Sequence, residues 1–459
     1  MANSSHFSRS LPRGGPVPFW RTSVGELDNH RSTEVLPTES DIVIIGAGFS
    51  AAAYVTHLLS QKVGELPSTL VLEARELCSG ATGRNGGHLK PDYYNLASSL
   101  IDRYGIEAAA EVADFEAANV TAVSDFVQEN QIDCDFNSTF AVDVQLTDAL
   151  DHRMKAGYDR MMSAGVESTK KVSYFAGGDA EMICDVKGAK SIFYYPAGHL
   201  WPYKLIHHMF AKAIAQGVNL QTNTPVTAIS DEVNSLGRTT VHTERGDVKA
   251  KKVIVMTNAY TSRLLPEYKD KIIPYRAICS RIVPSGPAVR IRNTYALRFG
   301  DFDFDYLIPR TDGSIIVGGA RRAFFHDLQQ WYGRVDDDTL IDDAKEYFDG
   351  YMQRNFKGWE NSGAYVDKVW TGIMGYSSDR LPRIGKVPGR PGVFIMGGFT
   401  GHGMPQIFLA AKGLAKMVLD DTPYEELGLP RVFQESDARL KDKENAVLDG
   451  YNKSLRAKI

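Results

Sequence analysis

"SDIVIIGAGFSAAAYVTHLLS", residues 40–60, decides the architecture. The apolar run from Ile42 to Ile45 reads as a buried strand, the glycines as a tight turn, and the Ala-rich stretch after them as a helix. A second apolar strand, "TLVLEAR" (69–75), completes a β-α-β unit. In the turn, Gly46-x-Gly48-x-x-Ala51 has the spacing of a dinucleotide-binding fingerprint. Gly46 permits the turn, Gly48 lets the backbone approach a pyrophosphate, and Ala51 is small enough for close helix–strand packing. The helix N-terminus at Phe49 and Ser50 turns free N–H groups and a positive dipole end toward the phosphates. Glu73 closes the second strand 27 residues after Gly46, where an acidic residue takes a ribose hydroxyl; the loop at 60–69 accounts for the excess over the usual spacing of about 20.

The rest of the chain has the composition of an ordinary soluble globular protein. It has 459 residues, enough for two or three domains. Hydrophobic residues make up 43% and charged residues 24%, and the net charge of −4 speaks against a nucleic-acid or anionic-membrane partner. No apolar run reaches the length of a membrane span, and the N-terminus has no apolar core of a secretory signal. Cys78, Cys134, Cys184 and Cys279 lie far apart, which predicts buried reduced thiols in a reducing compartment rather than disulfides or a metal site. Residues 1–40 read as an arm packed over the body with "VPFW" (17–20) as its anchor. Residues 96–165 have a helical period, and a further helix runs from Pro202 to Gly217. Strands are expected at 226–230, 239–244, 251–258 and 305–320, a surface helix in the acidic stretch 334–355, and a strand–turn–helix at 392–419.

"SGATGRNGGHLKPDYY" (79–94) distinguishes flavin from nicotinamide. A flavin enzyme must bring backbone close to both pyrophosphate and ring, and glycines permit that approach. Ser79, Thr82 and Arg84 are placed to reach phosphate oxygens, and Asn85 to bond the chain or the ring.

With these residues in hand, the sequence resembles the FAD-dependent amine and amino-acid oxidoreductases that include D-amino-acid oxidase, glycine oxidase and sarcosine oxidase, and within them the γ-glutamylputrescine-oxidase-like branch. The resemblance spans about residues 41–418. It is carried, in the family's order, by "DIVIIGAGFSA", "LEARELCSGATGRNGGH", "VKAKKVIVMTNAY", "DYLIPRTDGSIIVGGA", "WTGIMGYSSDRLPRIG" and "GGFTGHGM". It implies an α/β fold: a Rossmann-like FAD-binding domain from 41–95, 190–260 and 370–420, and a mainly antiparallel-sheet substrate domain with helices from 96–189 and 261–369, followed by a tail at 421–459. It also implies cofactor contacts at Ala74 and Arg75, at Gly83, Gly86 and Gly87, at Val226, Thr257 and Asn258, at Asp379, and at Gly398, Thr400, Gly401, His402, Gly403 and Met404. The helix after "GGFTGHGM" is suited to stabilise negative charge on a reduced flavin. The lysine that closes this motif in sarcosine oxidases is replaced by Pro405.

The resemblance implies C–N oxidation of an amine to an imine with no dedicated general base, the amine being held neutral by its pocket. The positions that carry covalent flavin in relatives fall at Gly372 and near Arg84, so FAD is expected to be non-covalent. The arginine that holds the substrate carboxylate in glycine oxidase falls at Met374, which cannot pair with a carboxylate. Arg276, Arg298 and Arg310 are the substitutes on offer, and Tyr306 and Trp370 are candidates for an apolar amine cage. The lysine that assists O2 falls near Val317; His88, Lys90 and His402 are the candidates to replace its charge. The partners expected are a small-molecule amine and O2, for a monomer or homodimer. Two other readings stay open: a flavin dehydrogenase or monooxygenase, and a non-catalytic flavoprotein scaffold. The final "AKI" is similar to a peroxisomal address, the alternative being the cytoplasm.

Overall fold

The computed structural model describes Pro12 and residues 14–61, 65–301 and 303–456. Strand β1 (Glu39–Ile45), helix α1 (Phe49–Ser60) and strand β2 (Thr69–Leu72) form as the opening stretch dictates. The first sheet runs in the order Arg383–Lys386, Val393–Gly397, Gly246–Val255, β1, β2, Asn219–Gln221. From Val393–Gly397 to Asn219–Gln221 the neighbours are parallel. Layers cover both faces, so its strands are continuous apolar runs: Val43 and Ile44 are fully buried. Ala51, Ala52 and Ala53, also fully buried, let α1 lie close against Ala410, Ala411 and Ala415 of the helix Ile407–Asp420.

The second sheet runs in the order Tyr365–Ser377, Ile272–Val283, Ile315–Gly319, Asp303–Pro309, Thr294–Gly300, Asn137–Gln145, Ser191–His199, His88–Leu89. It is antiparallel except between Thr294–Gly300 and Asn137–Gln145. Its far face is covered by a core containing Phe324, Trp331, Phe348 and Val317. The mixed α/β architecture is as expected.

Several segments differ from the sequence reading. Residues 370–377 and His88–Leu89, expected with the nucleotide-binding segments, pair in the second sheet with Ile272–Val283 and Ser191–His199 respectively. Ser191–His199, expected with the nucleotide-binding segments, is a strand of the second sheet because it pairs along its whole length with Asn137–Gln145. That partner interrupts the helical period read at 96–165, leaving helices Ile106–Glu129 and Asp148–Ser163 on either side. The acidic stretch 334–355 forms one short helix, Tyr351–Asn355, and a helical turn, Asp342–Ala344. Its acids are committed to fixed pairs, Asp336 with Arg276 and Asp337 with Arg75, which hold the backbone in irregular shape. The arm does pack, with Phe19 and Trp20 in the main core, and the tail holds helices Asp437–Lys441 and Ala446–Arg456. All four cysteines are buried free thiols. Among the described residues no helix is long and apolar enough to cross a membrane.

Asp305, fully buried on the strand Asp303–Pro309, accepts from Ala320 N (2.7 Å) and Tyr347 Oη (2.6 Å). Burial outweighs these donors and pushes its carboxyl from 3.8 to about 6. The folded state therefore favours the neutral acid. The stability this group confers is full below pH 4 and is lost as pH rises to 6. We expect Asp305→Asn to abolish this dependence, so that wild type loses about 3 kcal/mol relative to the variant between pH 4 and 7. Parallel denaturation curves for the two proteins would refute it.

Candidate active site

The carboxyl ends of the parallel strands open into a cavity of about 1360 Å³ that also borders the second sheet. A crevice at this edge is where open α/β sheets bind ligands. Gly46 sits at φ +107°, and a Cβ there would come within 2.8 Å of Met256 O. Gly48 precedes α1, and a Cβ on it would stand 3.0 Å from Thr82 Oγ1. Thr82 Oγ1 accepts the Phe49 N–H at 3.0 Å, tying the glycine turn to the loop after β2. Glu73 accepts from Ala47 N and Arg75 N, both at 2.8 Å. The N-cap residue of α1 is Gly48, which has no side chain to offer the amides of the first turn. Ser79, in the cavity wall, has a buried hydroxyl with no hydrogen-bond partner. A helix N-terminus with a glycine N-cap beside an orphaned hydroxyl, with Glu73 at the strand end, fits a dinucleotide.

The cavity gathers much of the expected set: Gly46, Gly48, Phe49, Ser50, Glu73, Ala74, Arg75, Ser79, Thr82, Asn85, Val226, Thr257, Asn258, Gly401, Gly403, Met404 and Met374 all line it. Asn258, at φ +47°, also accepts the Gly398 N–H at 2.9 Å. Gly398 and Thr400 stand behind the wall, where Thr400 N donates to Gly375 O at 2.9 Å and pins the turn to the second sheet.

Other expected contacts turn into the protein. Arg84, expected on phosphate, is buried: its guanidinium donates to Ser79 O (2.9 Å) and Thr371 O (2.9 Å) and pairs with Asp337 (3.1 Å). The loop glycines serve packing rather than flavin. A Cβ at Gly83 would stand 2.0 Å from Cys78 O, at Gly86 2.2 Å from the Tyr306 ring, and at Gly87 2.6 Å from Leu200 O. Asp379 caps its own turn through Leu381 N (3.1 Å) and pairs with Arg439 (2.8 Å). Trp370 is fully buried and donates to Arg84 O at 2.9 Å. Tyr306 lies against Gly86 and Gly318, with its hydroxyl 3.3 Å from Cys279 Sγ. Arg276, Arg298 and Arg310 are engaged by Asp336 (3.1 Å), Asp143 (2.7 Å) and Asp135 (2.5 Å).

His88, Lys90 and His402 lie outside the lining but act on one another's charge. His88 bonds Thr294 Oγ1 at 2.6 Å; burial, then the charge of Lys90, hold it well below the ordinary imidazole range. Lys90 stands 3.4 Å from Asp143, a carboxylate already held by Arg298. For His402 burial alone would lower the pKa, but Glu116 at 2.8 Å outweighs it and raises it. The sequence reading missed Glu116, which also accepts from Asp92 N and Gln406 Nε2, both at 2.6 Å. It also missed the cavity residues Tyr260, Arg263, Lys269, Ile373 and Phe399. Arg263 and Lys269 lie three and nine residues past "TNAY" (257–260), and two cations downstream of a cofactor motif were the available signal. Glu116 gave none, as one acid among several on a long helix.

Gly83→Ala tests the loop. The clash is with backbone, so the loop has to move; we expect dinucleotide affinity to fall at least tenfold, about 1.4 kcal/mol. Titration of apoprotein checks this, and an affinity within twofold of wild type would refute it.

Residues 41–417 match the family described as FAD dependent oxidoreductase, DAO. The chain is 23% identical over 401 residues to the gamma-glutamylputrescine oxidoreductase of Escherichia coli (strain K12), covering 83% of this chain and 84% of that protein. Its fold is similar to glycine oxidase from Geobacillus kaustophilus, with TM-score 0.68, 18% identity, and coverage of 87% and 99% of the two chains. It is also similar to L-amino acid deaminase from Proteus myxofaciens, with TM-score 0.69, 16% identity, and coverage of 91% and 97%. These relatives are bacterial, and residues 457–459, read above as a peroxisomal address, lie outside the described residues, so that address has no support. With the matched span covering both sheets and the cavity between them, the chain belongs to the DAO family of FAD-dependent oxidoreductases.

Proposed function

We propose that this enzyme oxidises the C–N bond of an amine or N-substituted amino acid to an imine and passes the electrons to O2, forming H2O2. The observation that carries this reading is Met374. It lines the cavity at the position to which the family resemblance assigns a carboxylate-binding arginine, and the three substitute arginines are each held by a carboxylate of the protein. A carboxylate finds no guanidinium at that position; the cations Arg263 and Lys269 of the cavity lie on a different segment of the wall. Ile373, Met374, Phe399, Met404 and Ile407 form an apolar stretch of wall, which favours the neutral amine over the ammonium ion.

FAD supplies the acceptor for a hydride from the carbon next to nitrogen. The nitrogen loses its proton as the C=N bond forms, and O2 takes up two electrons and two protons. Gly46, Gly48, Ser79 and Thr82 would hold the pyrophosphate, and Glu73 the ribose. Of the Gly401–Met404 turn, whose His402 N–H is donated to Phe399 O, the amides not so used would stabilise negative charge on a reduced flavin bound in the cavity. FAD is held non-covalently: among the lining residues the Cys78 thiol is pushed up to about 12 by burial and stays protonated. Acid precipitation is expected to release the yellow colour into the supernatant.

Lys90 is the proposed source of positive charge for O2. Lys90 stands 3.4 Å from Asp143, whose carboxylate is already held by Arg298 at 2.7 Å, whereas burial and the charge of Lys90 hold His88 well below the ordinary imidazole range. The reading is tested by anaerobic mixing with polyamine derivatives, N-methyl amino acids, cyclic amines and α-amino acids. An amine outside the α-amino acids should bleach the visible flavin absorbance, and oxygenation should then yield one peroxide per imine. Bleaching by simple α-amino acids alone would overturn it. We further expect Lys90→Met to slow reoxidation by O2 about tenfold, while His88→Gln leaves it within about twofold. Equal rates in the two variants would remove Lys90 from the oxygen step.

A further inference from the structure

The segment before the family match is built into the cofactor loop. Trp20 is fully buried, although it precedes residue 41, where the match begins. Its indole Nε1–H donates to Asn85 O at 2.5 Å, and Asn85 lines the FAD cavity. The benzo ring lies 2.8 Å from where a Gly87 Cβ would stand, so this glycine leaves room for the tryptophan. Phe19 and Trp201 flank the ring, with centroids at 5.1 and 5.6 Å, and Trp201 Nε1 donates to Trp20 O at 2.7 Å. Arg310, paired with Asp135, stacks 5.1 Å above the indole. The same arm is bonded elsewhere along the loop: Arg21 donates to Leu77 O, Arg75 to Pro12 O, and Arg84 to Pro16 O.

A loop with glycines at 83, 86 and 87 loses more conformational entropy on ordering than one without. Its shape has to be imposed by neighbours. Asn85 orders one side of it by accepting the Gly87 N–H on its own Oδ1 at 2.7 Å. The Asn85 carbonyl faces the other way and has the indole as its donor. We propose that Trp20 is a positioning residue for the cofactor: by donating to the Asn85 carbonyl it fixes the glycine loop against the cavity, and FAD affinity depends on that bond. The proposal rests on FAD occupying this cavity. It also assigns Arg310 a place in the arm's anchor rather than in substrate binding.

Trp20→Phe keeps an aromatic ring in the core and removes the donor. Trp201→Phe removes a donor and ring area from the same aromatic cluster without touching the loop, and serves as the comparison. Apoproteins of wild type and both variants are titrated with FAD by flavin fluorescence, and their thermal unfolding is followed without FAD. Trp20→Phe should raise the FAD dissociation constant about fivefold, the effect of one hydrogen bond of about 1 kcal/mol. It should also alter the visible circular dichroism of the bound flavin. Trp201→Phe should lower the unfolding midpoint with FAD affinity within twofold of wild type. If both variants weaken FAD equally, or if Trp20→Phe lowers only the unfolding midpoint, Trp20 is a packing residue and the proposal fails. Wild type that binds no FAD would overturn the cofactor assignment, and this proposal with it.

Discussion

One buried carboxylate joins the two halves of the site. Asp337 is 1% exposed and takes Arg75 at 2.8 and 3.0 Å and Arg84 at 3.1 Å. Both arginines belong to the loop after β2, whereas Asp337 belongs to the irregular segment that packs beside the second sheet. Its carbonyl receives Arg84 Nη1 as well, at 3.1 Å, and Thr371 Oγ1 bonds the same oxygen. A buried charge pair is a weak net stabiliser, but losing one partner leaves the other charge stranded, at a cost of about 3–5 kcal/mol. The arrangement therefore enforces geometry: the nucleotide loop keeps its shape only with the second sheet in place.

That dependence explains what the sequence could and could not disclose. The "GAGFSA" turn and Glu73 were legible because their roles follow from local backbone geometry and a fixed spacing. The Asn258 and Met404 regions were legible through resemblance to a family. Arg84 was not. A guanidinium between glycines suits a phosphate and an internal carboxylate equally, and the partner that decides lies 253 residues away in the chain. The glycines of the same loop carried the same ambiguity. Their need for close approach could be inferred, but what approaches them is Cys78 O, Tyr306 and Trp20, all of them protein.

The missed strands have a related cause. Ser191–His199 contains Pro196 and Gly198, which weaken any local strand signal, and its identity comes from pairing with Asn137–Gln145. The acidic stretch 334–355 has a helix-compatible composition. Ion pairs to Arg75 and Arg276, from elements far away in sequence, fix it in another shape. Periodicity reports the face a segment would bury; it cannot report a long-range charge that competes with the helix.

The charges near the proposed oxygen site follow the same logic at shorter range. His88, Lys90 and His402 look interchangeable in sequence, as three basic groups close to glycine motifs. Their surroundings separate them. His88 has a hydroxyl partner and a neighbouring ammonium, so it is neutral. His402 faces the Glu116 carboxylate on helix Ile106–Glu129, so its charge is matched and the pair acts as a fixed dipole behind the Gly401–Met404 turn. Lys90 shares Asp143 with Arg298, whose two short bonds, 2.7 and 2.9 Å, claim most of that carboxylate. Lys90, which directly continues the cofactor loop, is thus the cation of the three with the longest ion-pair contact, 3.4 Å to Asp143. A lysine at the position of Val317 is not needed for this: that side chain packs with Phe324, Trp331 and Phe348. In the proposed reaction the cation would come from the loop that lines the cofactor cavity.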